Sequence, residues 1–314
     1  MELARTAMEA VGAVFLMMAL GGWLAWRDAL PEPVERALAH LALDVAFPCL
    51  LFASLMRQFD PAAHADWWRW PLLWLAFTAV TLAPSLLLAR TARAGYRREF
   101  ALALFYPNAL FLPIAMIRQM DGPDSPLLVD LILFTMLFSA VFFNTFGWFY
   151  HRRQGPTRWL NRFHPALWAT VLAILLRVTG TGRLVPAFLT DGMEQIGQIA
   201  IPLIMITIGS QLARDFRESR AFYWRELALF VAFKNALWPL AALGVLALWR
   251  PDRAVAFMIL LQCAVPPVSA VPAVVARMNG QRRLAGQLLL ASFALSVVTL
   301  PLAIILFARI FPAP

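Results

Sequence analysis

The chain has 314 residues, of which 61% are hydrophobic and only 14% are charged. A soluble fold would have to hide more apolar surface than one globular core encloses, so this composition predicts an integral membrane protein. The formal net charge of +9 does not indicate a nucleic-acid partner, because the arginines lie in short stretches between apolar runs and not on one continuous face.

Ten apolar segments follow one another along the chain, most of them close to the roughly 20 residues that cross a hydrocarbon core. The N-terminus lacks the basic region of a signal peptide, so the first segment is predicted to be a retained span. We predict transmembrane helices at 4–26, 37–57, 67–89, 99–119, 126–149, 164–179, 194–213, 226–248, 254–276 and 285–311.

The arginines of the connecting loops predict the orientation of these spans. The loops that follow odd-numbered spans hold 17 arginines, whereas the opposite face, termini included, holds 9. Positive loops stay on the cytoplasmic side, so both termini are predicted to lie outside. The ratio of 26 arginines to one lysine hints at a GC-rich bacterial genome. We therefore predict a multi-pass protein of the plasma membrane, which is the inner membrane of a bacterium.

Ten spans divide into two halves of five, and a half with an odd number of spans enters its second copy from the opposite side of the membrane. The predicted parts are a first repeat at 1–150, a short basic cytoplasmic loop at 151–163 and a second, inverted repeat at 164–314. Four proline pairs lie in corresponding spans at offsets of 154 to 159 residues: Pro48 with Pro202, Pro84 with Pro239, Pro107 with Pro266, and Pro113 with Pro272.

The prolines of spans 4 and 9 predict broken helices. Proline has no amide hydrogen and collides with the carbonyl one turn back, so two prolines six residues apart release nearly two turns. An unpaired backbone group in hydrocarbon costs several kcal/mol, so such a stretch survives only where protein, water or solute satisfies it. We expect the breaks to line a cavity, whereas Pro48, Pro84, Pro202 and Pro239 are expected only to bend their helices.

A half-helix that begins inside the membrane presents unpaired amide hydrogens and about half a positive charge, which favours an anion. Polar side chains beside the breaks could add neutral hydrogen bonds to a carboxylate. The predicted solute site comprises Pro107, Asn108, Pro113, Gln262, Pro266, Pro267, Ser269 and Pro272.

Ionisable residues within spans are functional candidates by default. Asp44 lies in the middle of span 2 with His40 one turn before it, so the two could pass a proton or simply face another helix. Lys234, beside Asn235 in span 8, could neutralise an anionic solute or pair with a carboxylate, and both residues join the predicted site. Asp130 and Asn144 are interpreted as packing groups.

At these residues the chain resembles the auxin efflux carrier family, within the wider bile acid, arsenite and riboflavin transporter superfamily. The similarity covers essentially the whole chain and includes Pro107-Asn108 before Leu112-Pro113, and span 7 with Ala200-Ile201-Pro202-Leu203 followed by Gly209-Ser210-Gln211-Leu212. The chain departs from the family pattern where Pro267 replaces an expected asparagine, and it has no glycine just before Pro113.

The resemblance implies an all-α protein of ten transmembrane helices in which the broken helices 4 and 9 cross. It implies a scaffold of spans 1, 2, 6 and 7, which also dimerises in such proteins, and a transport part of spans 3–5 and 8–10 that moves like an elevator. Its solutes are organic anions such as auxin or dicarboxylates.

These observations predict a secondary carrier for a small organic anion, proton-coupled or uniport because no acidic residue flanks the break in span 9. A sodium-coupled symporter of the bile acid type and an anion channel stay open as alternatives. An enzyme is not predicted, since no catalytic motif appears and the four histidines are scattered. Cys49 and Cys263 are interpreted as small hydrophobes, so no metal or cofactor is predicted; the partners are the solute, the bilayer and a possible second copy of the chain.

Overall fold

The computed structural model describes residues 2–150, 164–218 and 222–312, which form helices joined by short turns and loops, with one isolated pair of extended residues. The first half contains α1 (Glu2–Trp26), α2 (Glu32–His40), α3 (Phe47–Gln58), α4 (Arg69–Ala89), α5 (Arg97–Phe105), α6 (Phe111–Asp121), α7 (Pro126–Thr135) and α8 (Phe138–Thr145). The second half contains α9 (Pro165–Val178), α10 (Ala187–Gln198), α11 (Ala200–Glu218), α12 (Trp224–Val231), α13 (Trp238–Trp249), α14 (Arg253–Ala264), α15 (Val271–Arg277) and α16 (Arg282–Ile310). The predicted loop at 151–163 lies outside the described residues.

Within these ranges, seven helical stretches are long and apolar enough to cross a membrane: Arg5–Trp26, Glu32–Gln58, Arg69–Ala89, Pro126–Tyr150, Ala187–Arg217, Trp224–Trp249 and Arg282–Ile310. Helices also occupy the other three predicted segments. The fourth holds α5 and α6, the sixth holds α9, and the ninth holds α14 and α15. Each of these is short or interrupted, so length alone does not qualify it as a span.

Two predicted spans begin too late. Span 2 starts at Glu32 and not at 37, and span 7 starts at Ala187 and not at 194. Both missed turns carry acidic residues, such as Glu35 and Asp191, which lower the local hydropathy although the backbone is already helical. Hydropathy marks the part of a helix that suits hydrocarbon, and a helix can extend beyond it.

Two prolines that were expected to bend helices follow π-helical turns. The turns Leu41–Ala46 and Ala232–Leu237 lie immediately before Phe47-Pro48 and Trp238-Pro239. Each proline withholds the amide that would bond the carbonyl four residues earlier, and the wider i to i+5 pattern absorbs the mismatch. Of the other two prolines, Pro202 lies just after the interruption between α10 and α11, whereas Pro84 lies inside the uninterrupted α4.

Glycines bring α1 and α11 into backbone contact. A Cβ atom placed on Gly21 would lie 1.9 Å from the carbonyl oxygen of Ile206, and one on Gly209 would lie 1.9 Å from that of Met18. Such small residues let apolar helices approach closely in lipid, where no hydrophobic force drives them together. Since α3 packs on both α9 and α10, spans 1, 2, 6 and 7 form one connected group.

The remaining helices pack mainly on one another. In the first half α4 contacts α5 and α7, and in the second half α16 contacts α12, α14 and α15. The two groups meet where α1 packs on α6 and α16. Helix α6, which follows the interruption in span 4, therefore lies at this boundary.

Candidate functional site

The predicted breaks of spans 4 and 9 are both present in the structure. Residues 106–110 separate α5 from α6, and residues 265–270 separate α14 from α15. The two interruptions meet in an antiparallel pair with Pro107 opposite Pro267. The chain is therefore extended at two places among buried helices, and these places contact each other.

Backbone hydrogen bonds join the two extended stretches. The Asn108 amide donates to the Pro266 carbonyl at 2.8 Å, and the Val268 amide donates to the Tyr106 carbonyl at 3.0 Å. Each break thus provides hydrogen-bond partners for backbone groups of the other. These groups are therefore not left unpaired away from water, which would be costly.

Side chains satisfy further backbone groups at this junction. Pro113 withholds an amide from the Ala109 carbonyl, and the side-chain amide of Gln262 donates to that oxygen at 3.1 Å. The Oδ1 atom of Asn108 accepts from the Leu112 amide in the first turn of α6 at 3.4 Å. Gln262 and Asn108 therefore act first as caps for the broken helices.

One polar group of each cap has no partner among the described residues. Asn108 is 1% exposed and its Nδ2 donor is unpaired, and the Oε1 acceptor of the fully buried Gln262 is unpaired too. A buried unpaired group costs about 1–3 kcal/mol. Asn108 borders the cavity, and its unpaired Nδ2 atom is buried beside it in the described arrangement.

The principal cavity has a volume of about 1030 Å³, at the upper end of the range for small-molecule sites. Asn108 and Ser269 line it, as do Pro272 at the start of α15 and the pair His40 and Asp44. The other predicted site residues are not part of its wall: Pro107, Pro113, Gln262, Pro266, Pro267, Lys234 and Asn235. The wall thus receives one or two polar groups from each break, and the prolines shape the backbone behind them.

Aromatic rings form much of the apolar wall, from Phe47, Phe111, Phe138, Phe142 and Phe143. Phe47 of span 2 and Phe111 at the start of α6 meet edge to face with ring centroids 4.9 Å apart. This contact joins the two helix groups directly beside Asn108. The inner part of the cavity therefore suits a solute with a flat apolar body.

Charged residues line the end of the cavity that reaches the surface. Arg214 pairs with Glu35 at 2.8 Å, and Arg282 with Asp215 at 3.4 Å. Arg277, at the end of α15, forms no ion pair within the described ranges. The predictions did not include Arg277, since a loop arginine carries no signal of a cavity that only packing creates.

Asp44 lies between two histidines. Its carboxylate oxygens are 3.1 Å from Nδ1 of His40 and 3.5 Å from Nε2 of His164. The Nδ1 atom of His164 accepts the Ala166 amide at 3.2 Å, so the proton of the neutral ring lies on Nε2, toward Asp44. Sequence reasoning missed His164 because it caps a different helix, α9, 120 residues away along the chain.

Lys234 and Asn235 do not line the cavity but bind groups of the neighbouring helices behind its wall. Lys234 is fully buried and donates to the carbonyls of Gln262 and Cys263. The amide of Asn235 bonds Ser292 and Ser296 of α16. Their side chains therefore contact α14 and α16, which belong to spans 9 and 10, and not the predicted solute or carboxylate.

Long apolar helices around a solute-sized cavity at paired helix breaks define a membrane transport protein. A family model described as membrane transport protein matches residues 6–156 and again residues 156–304. The chain therefore belongs to this family, the auxin efflux carrier family, and contains its pattern twice. The predicted resemblance is confirmed, and the protein is a membrane transporter. No curated protein matches the chain at a significant level.

Proposed function

We propose that the protein is a secondary carrier that moves a small organic anion across the plasma membrane by an elevator-type mechanism. In this proposal ten transmembrane spans form two inverted repeats, the broken spans 4 and 9 cross, and both termini lie outside. The observation that carries the proposal is the junction of the two breaks beside the cavity, where the buried side-chain amide of Asn108 is unpaired.

An anionic solute is supported by the donors that surround this position. Leu110 and Phe111, at the N-terminus of the 11-residue α6, line the cavity, and a helix N-terminus favours negative charge. Asn108 adds neutral amide hydrogens, and Arg277 adds a positive charge near the mouth. A carboxylate can accept hydrogen bonds from several such donors at once.

The organic part of the solute is inferred from the apolar wall. Five phenylalanines line a volume large enough for an aromatic acid, and a smaller dicarboxylate would leave much of that apolar surface without a contact. Between the two predicted solute types, these rings favour an auxin-like aromatic monocarboxylate.

The packing of the helices supports a division into a scaffold of spans 1, 2, 6 and 7 and a moving part of spans 3–5 and 8–10. The scaffold contacts include the glycine-mediated approach of α1 and α11, which leaves little freedom for relative motion. The junction belongs wholly to the other group, so a rigid-body shift of that group would carry the site.

The described arrangement corresponds to an inward-facing state in this proposal. The cavity reaches the surface among Arg36, Arg217 and Arg282, which belong to or border the arginine-rich loops predicted to be cytoplasmic. At the other face the Gln58 side chain donates to the Pro123 carbonyl at 3.0 Å and joins span 2 to the loop after span 4. In this proposal the contact helps to close the outer face between the two helix groups.

Proton coupling is proposed at Asp44, where His40 and His164 both face the carboxylate. Asp44→Asn should remove the dependence of uptake on a pH gradient in proteoliposomes while leaving counterflow exchange of the solute, because an amide cannot release a proton in this range. Asp130→Asn is the matched control, since Asp130 lies in α7 away from the cavity. Unchanged pH-gradient dependence in Asp44→Asn would remove Asp44 from the mechanism.

The carrier itself is tested by reconstitution. Organic acids are first screened for thermal stabilisation of the purified protein, and acids that stabilise it are then measured for saturable uptake into vesicles. A carrier should show counterflow and no unitary currents in planar bilayers. Unitary currents above carrier turnover rates would favour an anion channel instead.

A further inference from the structure

Two adjacent prolines leave two adjacent carbonyls unpaired at the end of α14. Pro266 and Pro267 have no amide hydrogens, and the carbonyls four residues earlier belong to Gln262 and Cys263. Both oxygens lie among residues that are at most 5% exposed, so water does not readily replace the missing donors. The C-terminal end of a helix also carries about half a negative charge.

The side chain of Lys234 lies beside these two carbonyl oxygens. The Nζ atom of Lys234 lies 3.4 Å from the Gln262 carbonyl oxygen and 3.2 Å from the Cys263 carbonyl oxygen. It is the single lysine of the chain, and its side chain is fully buried. The two lysine contacts match the two orphaned oxygens, and the ammonium donates to no other carbonyl among the described residues.

The π turn that carries Lys234 brings it into reach. This turn, Ala232–Leu237, is one residue wider per bond than an α-helix and precedes Pro239. Next to Lys234, Asn235 anchors the same turn to α16 through Ser292 and Ser296. The ammonium is therefore held by its own helix at a fixed position behind the break.

We propose that the ammonium of Lys234 is a tethered cation that completes the interrupted end of α14 in place of an exchangeable monovalent ion. Unwound carbonyls and half-helix C-termini are the groups that coordinate sodium in transporters with broken helices. Here a covalently attached charge fills that role, so assembly of the site requires no sodium. Lys234 is thus a positioning residue for the junction and not a solute ligand.

The experiment compares melting temperatures of the purified protein in choline, sodium and potassium chloride at equal ionic strength. The wild type should melt at the same temperature in all three salts. Lys234→Ala should melt at least about 4 °C lower in choline, because the carbonyls are left unpaired, and should recover part of the loss in sodium or potassium, which can enter the vacated space. Lys234→Met, which fills that space without a charge, should melt low in every salt.

Two results would overturn the proposal. One is a wild type that is stabilised by sodium over choline, and the other is a Lys234→Ala loss that is equal in all salts. If Lys234→Ala is not recovered folded, Lys234→Arg and Lys234→Met are compared instead. Lys234→Arg should be recovered folded and Lys234→Met should not. Failure of both variants to fold would show that the charge is not what stabilises the junction. These measurements use no solute, so their outcome does not depend on the proposed carrier function.

Discussion

Replacing Asn108 with alanine is expected to abolish stabilisation of the protein by its solute and to lower uptake by roughly 10- to 100-fold. The substitution removes the unpaired Nδ2 donor at the cavity, and a buried hydrogen bond to a charged group contributes roughly 1.5–3 kcal/mol. It also removes the Oδ1 acceptor that caps the first turn of α6, so the amides that would face a carboxylate lose their alignment.

The measurement is the shift in melting temperature on adding a solute acid found in the screen, followed by vesicle uptake. Asn144→Ala is the matched control, because the Asn144 amide bonds the Ala140 carbonyl of its own helix and does not line the cavity. The control should keep both stabilisation and uptake. A folded Asn108→Ala protein that still responds to the acid as the wild type does would exclude Asn108 from the site.

Substitution of Gly21 or Gly209 by alanine is expected to destabilise the protein severely. The new methyl group would lie 1.9 Å from a backbone carbonyl oxygen of the facing helix, which cannot rotate away as a side chain can. Helices α1 and α11 would have to separate. Overpacking in a close-packed interior costs about 1–3 kcal/mol and more where backbone must move. We expect a fall in melting temperature of roughly 5 °C or more, or loss of the folded protein on purification.

Gly12→Ala is the control for this effect. Gly12 lies on the same helix, α1, and a Cβ atom there would have nothing within 4 Å. Alanine has a higher helix propensity than glycine, so this variant should be as stable as the wild type or slightly more so. Equal losses in Gly12→Ala and Gly21→Ala would mean that the close approach of α1 and α11 is not what the glycines provide.

The predicted interruptions of spans 4 and 9 are present in the structure, whereas the groups that bond the freed backbone atoms were not predicted. Proline chemistry alone predicts where spans 4 and 9 are interrupted, because the missing amide is a property of the residue. The same chemistry does not say which group satisfies each freed carbonyl. The structure assigns the Ala109 carbonyl to Gln262 and the Gln262 carbonyl to Lys234. Those partners come from other helices, and their identity depends on packing.

The sequence by itself determined a helical membrane protein of two related halves and the location of its breaks. Apolar length, arginine distribution and proline spacing are local properties that act without tertiary contacts. Only the tertiary structure decided that Pro107 lies opposite Pro267, that His164 reaches Asp44 and that Lys234 faces away from the cavity. Each of these joins residues far apart in the chain, and the direction of a side chain at such a junction is set by the turn of its own helix and the shape of its neighbours.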